Sequence, residues 1–291
     1  MREISIKDFD CTYGNSVGID KTITQKTNLK FPDAYKKWDS MAILSRELKK
    51  HENSSFCTLP FCHTLEGEAL GGIINYGDDK IGPRGKEYII SNPEDILDLP
   101  EIDYSVGRIA EVLKACSYLK SQGEDVALYI SGPFTILNIL IDPTYIFKAF
   151  KKRPEIMKDI FDKLRHEIIR FIEKAQQNGV NIISYGDSSG GLNILGPKFS
   201  QQVVELFTYP FIKEVQQLIN TDTIVLLCPK TTFALIGTGK AVYKEVNLPE
   251  PMKYDKACTT LIGKVKFLGE MCIKNKEYIL KDKKIKSIEI I

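Results

Sequence analysis

"TIVLLCPKTTFAL", residues 223–235, carries an apolar run that ends on Cys228 and meets Pro229 and Lys230 at once. A short run that is apolar at every position, closed by a proline, reads as a strand buried on both faces, as in parallel sheets. Cys228 then stands at the strand's exit. It is either a small apolar residue closing the strand or a metal ligand at the mouth of a site.

The same pattern recurs on either side. "SSFCTLPF" (54–61), "VALYISG" (126–132), "VNIISYGD" (180–187) and "KVKFLGEM" (264–271) read as further strands. Helical stretches separate them. "VGRIAEVLKACSYLKSQG" (106–123) repeats Ile109, Val112, Leu113, Cys116 and Leu119 at helical spacing and stops at Gly123. Pro154 opens a long helix that Gly179 ends, and 198–220 is helical with an interruption at Pro210. "PDAYKKWDSMAILSRELKK" (32–50) is a helix ahead of the first strand, "TLEGEALGG" (64–72) a short one, and 75–88 a polar, glycine-rich loop. The terminal "KIKSIEII" alternates as a strand does. Strand and helix in turn predict a parallel α/β domain, and the length predicts a (β/α)8 TIM barrel over residues 1–291, with 1–53 as an N-terminal helical extension. A doubly wound open sheet is the alternative, although no GxGxxG follows any strand.

Forty basic residues against 38 acidic leave a formal charge of +2, so no global field points to nucleic acid or membrane. No apolar run approaches the roughly 18 residues of a spanning helix. The seven cysteines (11, 57, 62, 116, 228, 258 and 272) are odd in number, form no CxxC pair, and follow no apolar leader. Those features predict a reduced, cytoplasmic protein. Cys57, Cys116 and Cys258 read as packing residues, and His51 and His166 as solvated surface.

The strand exits gather the chemistry-bearing residues. Cys62, His63, Glu66 and Glu68 follow the first strand, Asp187 the strand at 180–187, Cys228 the opening one and Cys272 the one at 264–271. In a barrel these would ring one mouth. Two thiols with a histidine or carboxylate can hold zinc with one position open. Each also has a plain structural reading: His63 and Asp187 as caps, the thiols as core. "SGPFTILN" (131–138) offers a glycine for close approach, Pro133 to start a helix, and the Thr135 hydroxyl.

Seven ordered segments carry a resemblance over roughly residues 55–235: "LPFCHTLEGEALGG", "GPRGKEY", "GRIAEVLKACSYLK", "ISGPFTILNILIDP", "RPEIMKDIFDKL", "GVNIISYGDSSGGLNILGPKFSQQVVELFTYPFIKEV" and "VLLCPKT". Together they resemble the uroporphyrinogen decarboxylase superfamily, and most closely its corrinoid-dependent methyltransferase branch, of the methylcobamide:coenzyme M type. The resemblance implies a (β/α)8 barrel with its cleft at the C-terminal face. The decarboxylases open on an arginine-rich loop, whereas "IKDFDCTYGNSVGIDKTITQKTNLKF" holds no arginine. What is implied is therefore a methyltransferase working with a corrinoid protein and a small thiol, aryl methyl ether or folate. Branch members bind zinc through His-x-Cys and a later cysteine. Here the stretch is Leu226-Leu227-Cys228, and Cys272 comes early, so the last barrel elements are expected to be shortened or rebuilt. The ligand set this implies is Cys228 and Cys272, completed by His63 or Glu66, with Asp187 orienting or protonating the leaving group. Cys62, Asn75, Tyr76, Thr135 and Tyr185 would line the cleft. The competing expectations are a lyase of small carboxylates with Asp187 as acid–base, and a non-catalytic corrinoid-binding barrel.

Overall fold

The structure, a computed structural model, describes residues 5–11, 14 and 17–291. Eleven strands are described: β1 (Cys57–Leu59), β2 (Ile73–Asn75), β3 (Arg84–Glu87), β4 (Val126–Ser131), β5 (Ile182–Gly186), β6 (Ile224–Leu227), β7 (Ala241–Asn247), β8 (Met252–Lys253), β9 (Phe267–Leu268), β10 (Ile279–Leu280) and β11 (Lys284–Ile290). Seven of them form one sheet in the order β1-β4-β5-β6-β9-β11-β7. From β1 to β9 every pairing is parallel. β11 then runs antiparallel to both β9 and β7.

Alternate residues of each parallel strand enter two different cores. Leu128, Ile183, Val225 and Phe267 pack outward against the helices, including the long one at Pro154–Gln177. Ala127, Ile182, Ile224 and Leu268 point the other way, into a second cluster with Phe56, Tyr254 and Ile285. An apolar filling inside the sheet and a helical layer outside it are the packing of an α/β barrel-type fold.

Proline sets several of the strand-to-helix turns. The helices Pro133–Leu140, Pro143–Lys152, Pro154–Gln177 and Pro229–Gly237 each open on one. The missing N–H costs nothing there, because the first helical donors have no partner within the helix. Pro133 and Pro229 directly follow β4 and β6, so the turn that ends the strand also aims the next helix. The second half of the opening stretch is thus helical.

Four sequence expectations change in detail. The strand expected over 264–271 contracts to Phe267–Leu268, because the chain is still turning at Gly263, whose φ is +77°. The break expected at Pro210 comes earlier. The helix Leu192–Val203 widens into a π turn over Val204–Thr208, and Pro210 lies in the first turn of Tyr209–Leu218. A wide turn relieves the clash between a proline ring and the preceding carbonyls. Part of the loop expected over 75–88 is the antiparallel pair β2–β3. The helix expected over 32–50 is a short 3-10 turn at Asp33–Tyr35 followed by Trp38–His51, and a further helix, Lys21–Thr27, is capped by Asp20. The terminal strand is present as β11. No helix among the described residues is long and apolar enough to cross a membrane.

Candidate functional site

Side chains alternate along β6, so Leu226 and the residue two positions on, Cys228, share its inner face. The Cys228 N–H donates to the Tyr185 carbonyl at 2.8 Å, which carries the parallel register one residue past the strand. His63 lies in the turn between β1 and the helix Leu65–Ala69, its ring stacked on that of Tyr129 at 5.3 Å. Cys272 sits in the loop after β9. These three elements meet at one cavity of about 250 Å³, lined by Cys11, His63, Tyr129, Ser184, Tyr185, Cys228, Lys230, Cys272 and Lys274, with Leu226 beneath.

His63, Cys228 and Cys272 are half-buried, and that partial burial sets their electrostatics. Burial pushes the Cys228 thiol up to about 12, and the neighbouring Cys272 and Cys11 add to the effect. Burial raises Cys272 as well. Both are therefore neutral thiols at pH 7. Burial and the nearby Lys274 ammonium lower His63 to about 4, so its imidazole is neutral too. The cations at this wall come from Lys230, whose Nζ is 3.4 Å from the Ser188 carbonyl, and from Lys274, which donates to the Gly14 carbonyl at 3.1 Å.

The zinc implied by the resemblance does not fit these residues. Among the described residues no three of His, Cys, Asp and Glu stand close enough to hold one ion. A buried leucine, Leu226, occupies the position where a histidine would complete His-x-Cys.

The structure brings together His63, Cys228 and Cys272, but not the other expected residues. Tyr185 borders the cavity from β5, yet its ring takes the outer phase of the strand and packs on Phe211 at 4.8 Å, with its hydroxyl on the Asp187 side. Asp187 is turned aside. Its carboxylate accepts the Phe134 N–H at 3.1 Å and both the N–H and hydroxyl of Thr135 at 2.8 Å. That holds it against the start of the helix Pro133–Leu140, beside a separate space of about 30 Å³ shared with Tyr185, Ser200 and Lys230. A side chain at Gly132 would meet Asp187 Cβ at 2.4 Å, so only glycine allows this approach. Burial raises Asp187 to about 6 against the pull of those hydrogen bonds. Glu66 is buried and accepts the Ser131 N–H at 2.7 Å, away from the thiols. Cys62 belongs to a network around the buried Arg108, which donates to Glu68 and Thr64 at 2.6 Å and to Cys62 Sγ at 3.2 Å. Tyr76 donates to Glu68 in the same network, and exposed Asn75 accepts the Gly77 N–H.

Sequence reasoning missed Lys230, Lys274, Tyr129, Ser184 and Cys11 as lining residues. Lys230 and Lys274 each follow a candidate cysteine by two positions, and Tyr129 and Ser184 take the inward phase of strands already recognised. Only Cys11 had no signal.

Comparison with known proteins matches residues 18–271 to the uroporphyrinogen decarboxylase (URO-D) family. The chain is 23% identical over 211 residues to the methylcobamide:CoM methyltransferase MtbA of Methanosarcina acetivorans, covering 70% of this chain and 61% of that protein. It is 21% identical over 231 residues to MtaA of Methanosarcina barkeri, covering 78% and 67%. The chain thus spans about three fifths of the first of these relatives. A solved methyltransferase from Methanosarcina mazei superposes with a TM-score of 0.60 at 18% identity, over 77% of this chain and 68% of that one.

Proposed function

The chain belongs to the uroporphyrinogen decarboxylase family, and we propose that it moves a methyl group between the cobalt of a corrinoid on a partner protein and a small molecule seated at this mouth. One observation carries the reading. His63, Cys228 and Cys272, from distant parts of the chain, converge with two lysines on a single cavity, in a chain similar to methyltransferases that act on methylcobamide.

The methyl group passes without its bonding electrons. Toward cobalt, the cob(I) lone pair forms the cobalt–carbon bond while the carbon–heteroatom bond breaks, leaving its pair on the heteroatom. In reverse, a heteroatom anion attacks the methyl carbon and the pair returns to cobalt. In either direction the demethylated small molecule is an anion, and stabilising that charge is what the protein can contribute. Lys230 and Lys274, both half-buried, supply positive charge at the wall, where a charge acts more strongly than in bulk water. The neutral Cys228 and Cys272 thiols are donors to the same anion. His63, neutral and fixed against Tyr129, positions the reacting atom and carries no charge of its own.

The test follows the cobalt spectrum. The protein mixed with cob(I)alamin and a panel of methyl donors, or with methylcob(III)alamin and thiol or folate acceptors, should interconvert the two corrinoid states. Lys274→Met should slow that conversion roughly 10- to 100-fold. No spectral change with any donor or acceptor overturns the reading.

A further inference from the structure

Residues 5–11 lie along the mouth as a strap. Ile6, Lys7, Asp8 and Phe9 border the 30 Å³ space beside Asp187, and Cys11 lines the 250 Å³ cavity with Cys228 and Cys272. The strap is lightly held. The Ser5 N–H donates to the Gly237 carbonyl at 3.3 Å, and the Phe9 ring meets Phe233 edge-on at 6.1 Å, with Lys7 Nζ over the same ring. Ser5, Lys7, Asp8, Asp10 and Cys11 are exposed. A segment with so little buried contact belongs to the low-stability end of a fold and opens ahead of the rest.

Three thiols thus share one cavity at different depths, Cys11 exposed and Cys228 and Cys272 half-buried. Cys11 stands near enough to the other two to oppose their ionisation. The two inner thiols differ in freedom. Cys228 is fixed at the end of β6, where its N–H reaches the Tyr185 carbonyl at 2.8 Å and its carbonyl accepts the Thr232 N–H at 3.1 Å. Cys272 lies in a loop. Two residues on, Lys274 donates to the carbonyl of Gly14, three positions past Cys11, so this loop and the chain beyond the strap already touch. A disulfide needs its two Cα atoms within about 7 Å, a demand that a loop and a light strap meet more readily than a strand end. An exposed thiol beside a second, resolving thiol is the arrangement of redox-sensing cysteines.

We propose that Cys11 and Cys272 form a redox latch, in which exchange with a low-molecular-weight disulfide joins them and pins the strap over the thiol cavity. The Cys11 thiolate attacks one sulfur of the small disulfide. A mixed disulfide forms, and the other half leaves as a thiolate with the bonding pair. Cys272, having given its proton to solvent, attacks the Cys11 sulfur and expels the second half as a thiolate. Two cysteines are oxidised and one small disulfide is reduced to two thiols. Resting on the methyl-transfer reading, the latched state shuts the partner's corrinoid out of the mouth, and reduction reopens it.

Oxidised glutathione is the probe, and peptide mapping under non-reducing conditions is the readout. The expected product is a Cys11–Cys272 bridge that dithiothreitol reverses, with Cys57, Cys116 and Cys258 still thiols. Cys272→Ser should arrest the chain at a Cys11–glutathione mixed disulfide. In the bridged chain iodoacetamide should modify Cys228 roughly tenfold more slowly than in the reduced chain, because the bridge restrains the segment that must open. A chain that takes up no glutathione or stops at the mixed disulfide, a bridge from Cys11 to Cys228, or a bridge that leaves Cys228 as reactive as before overturns the latch, whether or not methyl transfer proceeds. A Cys11–Cys272 bridge with Cys228 protected, in a chain that converts neither corrinoid state, leaves the latch standing and sinks the methyl-transfer reading alone.

Discussion

The strands β1, β4, β5 and β6 and the ribbon β7–β11 sit in one sheet under different rules. The first group is covered on both faces, and β6 is buried at all four positions. The ribbon is only partly covered: Ile285 of β11 faces the inner cluster, Ile288 and Ile290 the outer one, and each face is open for part of its length. Ile285, Ile288 and Ile290 of β11 are buried while Lys284, Lys286 and Glu289 are exposed, and Lys284–Glu245 and Lys244–Glu289 bridge the two strands at 2.7 and 3.3 Å. The parallel group therefore holds its place through packing, and the ribbon largely through pairing. The candidate site straddles the two. Cys228 belongs to the packed half, and Cys272 and Lys274 come from the loop between β9 and the ribbon.

That contrast predicts unequal tolerance. Leu128→Ala, in the middle of β4 and fully buried, should cost about 3 kcal/mol through lost burial and an unfilled cavity. Val246→Ala, half-buried on β7, should cost less than about 1 kcal/mol. Denaturant unfolding of both variants checks the pair. Equal losses would mean that the ribbon is packed as tightly as the parallel strands, and the distinction would fail.

The same contrast explains what the sequence could say. Runs such as "TIVLL" and "VALYI" are apolar at every position because both faces are buried, and they are legible as strands without any partner in view. "AVYKEVN" places Lys244 and Glu245 mid-strand, which a solvated face permits, so β7 carries no continuous apolar run to mark it in the sequence. At the site, Cys228 was legible from strand phase. Asp187 and Glu66 were misleading because their partners are remote. The donors that hold Asp187 lie 52 and 53 residues away, and the one that holds Glu66 lies 65 away. An acid at a strand exit looks the same in sequence whether it faces a substrate or caps a neighbouring helix.

A smaller effect sits where the two halves meet. His63 has its pKa lowered in the fold to about 4 from an ordinary 6.5. As pH falls through that window the unfolded chain takes up the proton first. Its stabilising contribution is therefore complete above about pH 6.5 and lost by about pH 4. Asp187 acts in the opposite sense, since its pKa is raised to about 6 and the folded form binds the proton first between there and 3.8. His63→Phe removes the first dependence and leaves the second. Between pH 6.5 and 4 the variant should lose less stability than the parent, by an amount on the order of 2 kcal/mol. Superimposable pH–stability curves would place His63 in water rather than in the half-buried wall.

The smallest expected effect asks whether the loop beyond β9 still presents Cys272 to the packed half. Leu226 and Cys228 share the inner face of β6, so Leu226→His creates a His-x-Cys pair with both side chains pointing the same way. Cys272, lining the same cavity, supplies a third donor if the loop holds it within reach. The variant is expected to bind zinc at least about tenfold more tightly than the parent, measured by competition with a chromophoric chelator, with circular dichroism confirming the fold. A gain of that size means that the histidine alone separates this mouth from a zinc site and that the loop has kept its thiol in place. No gain means that the loop has carried Cys272 out of reach, so that the second half of the sheet, rather than one residue of β6, sets the difference. Adding Cys272→Ser to Leu226→His separates the two outcomes, because it abolishes the gain only when Cys272 is the third donor.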